Sequence, residues 1–265
     1  MPFDISPGAA NHRLMRARTH PPHAAALPPG LFRQFEAARG EYRARFNHEL
    51  LLVDLPGHGG SSEVRADLRA SADLLGGVGA RADYLGYSMG ARYCLHLALA
   101  RPDLVRRLVL ISGTAGIEDP DERAARRSAD EALARRLDPD DGSPPEDTVA
   151  TFVDRWVANP MFGHVADTAN GIGERKRNTA AGLASSLRLA GTGTQEPLWD
   201  RLGELDLPVL VVTGGRDAKF TDLGRRLVAA IGVDARLVVI DDADHAPHLQ
   251  RPDPVAAAVR AFLSL

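Results

Sequence analysis

The sequence predicts an α/β fold: a mostly parallel sheet with helices between its strands and a helical cap inserted late in the chain. Three observations predict it. From Leu50 onward, short apolar runs alternate with helical stretches, the pattern of strand–helix–strand units. Between Glu118 and Leu205 the strand pattern stops while helical composition continues. A serine, an aspartate and a histidine each follow a separate strand pattern, so the fold would bring their loops to one rim of the sheet.

The elements follow in order. Leu50 to Leu55 is a short apolar run that ends in Pro56-Gly57-His58-Gly59-Gly60, a buried strand and a tight turn. Ala66 to Leu75 reads as a helix, and Ala82 to Tyr87 as a second strand of weaker propensity. Ala91 to Ala100 reads as a helix that stops before Arg101-Pro102. Arg107 to Ile111, Pro208 to Thr213 and Arg236 to Ile240 are three further strands. Pro254 to Leu265 closes the chain as a helix with proline in its first turn. The expected division is a core of 49–117 and 206–265 with a helical cap of 118–205. Within the cap, Asp130 to Ala134, Thr148 to Val157 and Thr179 to Leu189 have helical character, broken by the linker from Asp138 to Pro145.

Residues 1–48 read differently. Val53 is the first valine, and before it the only β-branched residues are Ile5 and Thr19. Prolines 21, 22, 28 and 29 sit among histidines, arginines and the run Ala24 to Ala26. Such a stretch is a poor source of a buried strand. The expectation is a loosely ordered leader with no N-terminal strand. It lacks the apolar run of a secretory signal. A transit peptide and a shifted reading frame remain as alternatives.

Composition narrows the function classes. The 265 residues are 44% hydrophobic and 25% charged, with a formal charge of −3. That is an ordinary globular balance without the basic excess of a nucleic-acid binder. No apolar stretch reaches the ~20 residues of a membrane span. Cys94 is the only cysteine, which excludes an intrachain disulfide and a zinc–thiolate cluster. Its place on a helix that reads as buried makes it a core residue. A cytoplasmic protein with a small-molecule partner is expected.

The chemistry starts from Gly86-Tyr87-Ser88-Met89-Gly90, a G-x-S-x-G between a strand and a helix. The glycines permit a sharp turn that projects the serine hydroxyl, and the helix brings its positive end to that oxygen. A serine hydroxyl reacts only when a neighbour takes its proton. His245 follows the last strand, in Asp241-Asp242-Ala243-Asp244-His245, and is the best candidate. Asp244 and His248 are the alternatives. Asp217, in Gly214-Gly215-Arg216-Asp217, is placed to hold the imidazole in one tautomer; a turn-forming aspartate is the bland alternative.

The order Ser88, Asp217, His245 resembles the α/β-hydrolase superfamily. Over roughly Leu50 to Leu265 the chain further resembles the 2-succinyl-6-hydroxy-2,4-cyclohexadiene-1-carboxylate synthases of menaquinone biosynthesis. Asp54-Leu-Pro-Gly-His-Gly-Gly-Ser61 and Gly86 to Arg92 carry the broader resemblance. Glu122 to Arg126, Asp130 to Ala134, Trp156, Asn159 to Phe162, Arg175, Gly182 to Arg188, Gly191 to Gln195 and Gly215 to Phe220 carry the narrower one. The resemblance implies an α/β-hydrolase fold and no metal or organic cofactor. It implies a lyase that eliminates pyruvate from a polycarboxylate, with Ser88 acting as a base on a carbon-bound proton. The same three residues equally suit a serine nucleophile.

A substrate with several carboxylates calls for guanidinium partners. Arg92 lies one helical turn after Ser88 and is expected to face the same cleft. Arg126 and Arg175 match carboxylate-binding positions of the family, with Arg123 and Arg127 as neighbours within an error of register. Trp156 and Phe162 either wall the ring pocket or pack the core. Tyr87 either donates a hydrogen bond or packs, and Lys219 either meets a carboxylate or stays a surface cation. Met89 supplies a backbone N–H of the oxyanion hole.

One departure stands out. The family opens with a strand followed by His-Gly, which lies between the strands corresponding to Leu50–Leu55 and Ala82–Tyr87 and supplies the second oxyanion donor. Here the only His-Gly pair is His58-Gly59, in another turn. The expectation is a sheet with its N-terminal strands missing or degraded. An ester or carbon–carbon hydrolase and a non-catalytic relic therefore stand as alternatives.

Overall fold

The computed structural model describes residues 24–27, 49–163 and 172–264. Among the described residues six strands form one sheet in the order β2-β1-β3-β4-β5-β6, and every neighbouring pair is parallel. They are β1 (Ala24–Leu27), β2 (Glu49–Leu52), β3 (Ala82–Tyr87), β4 (Val105–Ile111), β5 (Val209–Gly214) and β6 (Ala235–Ile240).

β1 corrects the expectation of a missing N-terminal strand. Ala24–Leu27 pairs with Glu49–Leu52 on one side and, through Ala25 and Ala26, with Asp83 and Tyr84 on the other. The gap between β2 and β3 is thus filled. Alanine is a weak strand former because it adds little packing, but ladder bonds come from the backbone, which a slot between two strands satisfies. The rest of the leader, and with it the transit-peptide alternative and the loop that would carry a second oxyanion donor, lies outside the described residues.

Alternation along the strands builds two apolar layers. Tyr84, Leu108, Leu110, Val209 and Val211 face one side with Ala72, Leu75, Cys94, Leu97 and Leu227. These come from helices Leu68–Gly79, Met89–Ala100 and Ala218–Ile231. Leu85, Tyr87, Val109, Ile111, Leu210 and Val212 face the other side with Val255, Val259 and Phe262 of helix Pro252–Leu263. Cys94 is fully buried, and burial pushes its thiol up to about 12.

Helix Ala218–Ile231 is absent from the sequence expectations. Its buried residues Thr221, Gly224, Leu227 and Ile231 recur at three- and four-residue steps, but a threonine and a glycine in the stripe hide the apolar period. Between β4 and β5 the described chain holds helices Pro120–Leu137, Val149–Val157 and Ala180–Ala190. They share a third cluster of Ala134, Leu137, Phe152, Val153, Leu183 and Ala184. The first is longer than expected because Asp119 caps its N-terminus, accepting from the amides of Asp121 and Glu122, and Pro120 opens its first turn. Thr148 and Thr179 cap the other two.

Candidate active site

β3 ends at Tyr87 and the next helix begins at Met89, so the chain reverses at Ser88. Ser88 has φ 50° and ψ −108°, a left-handed conformation that strains a residue with a side chain. Its amide donates to the Ile111 carbonyl at 2.8 Å, which ties the turn to β4. Gly86 is required by close approach: a Cβ there would lie 2.3 Å from the Gly90 carbonyl oxygen. The Met89 N–H is the first helical amide, which no residue within the helix accepts. An amide at that end of a helix is available to an anion.

His245 Nε2 lies 3.0 Å from Ser88 Oγ, and His245 Nδ1 lies 2.8 Å from Asp217 Oδ2. Asp217 caps helix Ala218–Ile231, its Oδ1 accepting from the Phe220 amide at 3.1 Å, so its other oxygen is aimed at the imidazole. With Asp217 accepting at Nδ1, that nitrogen carries the proton and Nε2 is free to accept from the serine. His245 is fully buried. The Phe220 ring packs on it at 4.2 Å, with the Tyr87 and Phe162 rings at 5.4 and 6.0 Å. Its backbone N–H donates to the Met161 carbonyl. The alternatives for the histidine role fall elsewhere: Asp244 accepts from the Gln250 amide at 2.8 Å, and His248 packs against the Tyr87 ring at 4.3 Å.

A cavity of about 750 Å³ opens onto Ser88. Tyr87, Met89, Arg92, Arg126, Trp156, Phe162, Arg175, Asp217 and Lys219 all line it, while His245 sits behind Ser88. Arg92 is buried and donates to the Ala190 carbonyl at 2.7 Å. Burial pulls its pKa down to about 10, which leaves it cationic at neutral pH. Arg126 Nε donates to Asp130 at 2.9 Å, and the other Asp130 oxygen packs against Gly191, where a Cβ would lie 2.5 Å away. Arg175 is buried and its pKa is lowered by desolvation. Of its register neighbours, Arg123 turns to the carbonyls of Ile117 and Glu118, and neither it nor Arg127 lines the cavity. Burial raises the Tyr87 phenol, which stays protonated with its hydroxyl sealed from solvent and without a partner among the described residues. Phe152, Trp156 and Phe162 form a continuous aromatic wall, with ring centroids 5.8 and 6.5 Å apart. Lys219 is exposed at the rim.

The sequence reading passed over His58, Asn178, Phe152 and Leu223, which also line the cavity. His58 had a signal: its turn follows a strand end on the same rim as the Ser88 turn. Asn178 and Phe152 had none, because only the packing of the segment between β4 and β5 brings them to Ser88, and Leu223 lies on helix Ala218–Ile231, which the sequence pattern hides.

His248 gives the site an acid-sensitive support. Burial first, then His245 and Arg175, lower its pKa from 6.5 to about 3. The folded state keeps it neutral, so its contribution to stability is intact above pH 6.5. That contribution is lost as pH falls from 6.5 towards 3, where the unfolded chain binds the proton more readily. Urea midpoints measured across this window should fall more steeply for the wild type than for His248→Phe. Parallel acid limbs would exclude the linkage.

The model of the alpha/beta hydrolase family matches residues 15–258. A Bacillus subtilis (strain 168) relative is 33% identical over 185 residues, which is 68% of this chain and 65% of that protein. The Klebsiella pneumoniae (strain 342) protein named 2-succinyl-6-hydroxy-2,4-cyclohexadiene-1-carboxylate synthase is 31% identical over 222 residues, covering 81% of this chain and 83% of that one. The solved structure of MenH from S. aureus matches in fold with a TM-score of 0.82 at 23% identity, covering 95% of this chain and 97% of that one. The chain belongs to the alpha/beta hydrolase family, and within it is similar in sequence to the 2-succinyl-6-hydroxy-2,4-cyclohexadiene-1-carboxylate synthases.

Proposed function

We propose that the chain is a carbon–oxygen lyase of menaquinone biosynthesis. It eliminates pyruvate from 2-succinyl-5-enolpyruvyl-6-hydroxy-3-cyclohexene-1-carboxylate to give 2-succinyl-6-hydroxy-2,4-cyclohexadiene-1-carboxylate. The observation that carries this reading is a Ser88–His245–Asp217 relay opening onto a cavity that also holds the guanidiniums of Arg92, Arg126 and Arg175. The substrate has three carboxylates, on the succinyl arm, the ring and the enolpyruvyl group, and guanidinium is the side chain suited to pair with each.

The chemistry follows from the two names. Ser88 gives its proton to His245 Nε2, and Asp217 stabilises the imidazolium at Nδ1. Ser88 Oγ then removes the proton from the ring carbon that bears the succinyl arm. That electron pair becomes the new ring double bond, the existing double bond shifts one position along, and the ring C–O bond to the enolpyruvyl group breaks. The leaving enolate takes up a proton and becomes pyruvate, so atoms and charge balance. Arginines paired with the departing carboxylate favour release of negative charge in that direction. The partner is a small-molecule polycarboxylate, and the reading places the reaction in the cytoplasm; cell fractionation tests that location. Among the described residues no helix is long and apolar enough to cross a membrane.

Purified protein mixed with the cyclohexene substrate should release pyruvate, read by coupling to lactate dehydrogenase. Release no faster than from a Ser88→Ala control would overturn the proposal. The strained Ser88 turn with the Met89 amide beside it also suits an acylating serine. Ester hydrolysis is the second reading, and it predicts a burst of acyl-enzyme with activated esters. Arg126→Ala is expected to raise KM about 10- to 100-fold, the worth of one charge-assisted hydrogen bond, with a much smaller change in kcat. A KM within twofold of wild type would remove Arg126 from the binding site.

A further inference from the structure

We propose that His58 is a specificity-determining residue whose Nε2 accepts a hydrogen bond from a hydroxyl group of the ligand. The proposal rests on the lyase reading, whose substrate carries one ring hydroxyl. His58 lies in the turn after β2, lines the cavity and is 8% exposed. Its Nδ1 is 3.1 Å from the Pro56 carbonyl oxygen. A carbonyl only accepts, so Nδ1 carries the proton and Nε2 keeps its lone pair. Burial lowers the pKa of the ring and favours this neutral form. Nε2 has no partner among the described residues and, unlike the Tyr87 hydroxyl, is not sealed off.

The turn holds the ring in place from two sides. Gly57 has φ 82°, and a Cβ there would lie 2.4 Å from the Gly182 carbonyl oxygen. The Gly59 amide donates to Asn178 Oδ1 at 2.9 Å, and Asn178 Nδ2 donates to the Arg175 carbonyl at 2.9 Å. The imidazole is therefore fixed against the same segment that carries Arg175.

The cavity around it is rich in donors, among them Arg92, Arg126 and Lys219. The carboxylates around it are engaged or sealed. Asp119 binds helix amides, Glu118 pairs with Arg226, and Asp130 gives Oδ1 to Arg126 while its Oδ2 is sealed from solvent without a hydrogen-bond partner among the described residues. Glu122 is exposed. A ligand whose carboxylates are ionised has only its alcohol O–H to offer an acceptor. The lone pair of His58 Nε2 is a buried-site acceptor open to the cavity and suited to take it.

The test compares the substrate with its 6-deoxy analogue, in which hydrogen replaces the ring hydroxyl. The wild type should favour the hydroxylated substrate in kcat/KM by about tenfold, the value of one neutral hydrogen bond. His58→Asn keeps a donor towards the Pro56 carbonyl but lacks Nε2, and its preference should fall to about one. His58→Gln, which returns an amide oxygen to that region, should recover part of the preference. Equal losses on both substrates in His58→Asn would mark a structural role and overturn the proposal. A wild type that does not discriminate between the two substrates would overturn it as well, whatever the variants do. If the wild type releases no pyruvate from either compound, the lyase reading itself falls, an outcome distinct from both.

Discussion

Ser88→Ala is expected to lower pyruvate release by about 10²–10⁴-fold, the usual worth of a positioned base, while the fold persists. The hydroxyl is the only group lost, and the residue is half-buried at the head of a helix whose backbone bonds do not use the side chain. Relief of a polar side chain from a strained turn costs the fold little. Asp217→Asn is expected to fall in the same range for a different reason. An amide in place of the carboxylate can donate to Nδ1 and turn the imidazole to the tautomer with its proton on Nε2, which cannot accept from Ser88. Double substitution should cost about as much as either change alone, because the three groups act as one unit. Initial-rate measurement of the two single variants and the double variant decides this; penalties that multiply would show that the groups work independently.

Gly86→Ala is expected to remove about 3 kcal/mol or more of stability, lowering the melting temperature by roughly 6–12 °C at this size. The added methyl carbon would lie 2.3 Å from the Gly90 carbonyl oxygen, 2.4 Å from its carbon and 2.5 Å from the Ala91 nitrogen. All three are backbone atoms of the turn that presents Ser88, so relief can come only by moving the serine. Activity should therefore fall together with stability. Gly77→Ala is the control. It also adds a methyl to a glycine, but within helix Leu68–Gly79 and with nothing within 4 Å of the new atom. It should stabilise by about 0.5–1 kcal/mol through helix propensity. If the two substitutions had similar effects, the close approach at Gly86 would not be what shapes the turn.

Much of this site was legible from residue order alone. The G-x-S-x-G turn, the aspartate after one strand and the histidine after the next are local patterns. Each is set by a strand that ends, a turn that follows and a helix that begins, and local chain chemistry specifies those events. Arg92 was legible too, because one helical turn after Ser88 is a distance along a single element. Arg126 was named from the resemblance, and which of its arginine neighbours faces inward could not be read from the helix they share. The structure separates them: Arg126 turns to Asp130 beside the cavity and Arg123 turns to its own loop carbonyls.

β1 shows the converse. Four residues of alanine and leucine between prolines carry almost no strand signal, because that signal measures side-chain packing and alanine has little to pack. Their place in the sheet comes from backbone groups offered by β2 and β3, which are far apart in sequence. Helix Ala218–Ile231 was hidden because a threonine and a glycine occupy its buried face. Thr221 is satisfied there by the Gly214 carbonyl, 3.0 Å away, and Gly224 lets the helix lie close to Val211 and Leu237.

The sequence by itself determined the class of sheet, the strained serine turn and the identity and order of the three relay residues. The tertiary structure decided that β1 fills the slot between β2 and β3, which arginines line the cavity with Ser88, and that His58 stands among them with no partner for Nε2 among the described residues. The reason is physical. Turns, caps and strand ends are written in neighbouring residues, whereas a ladder bond or a buried charge depends on what a distant segment brings to it.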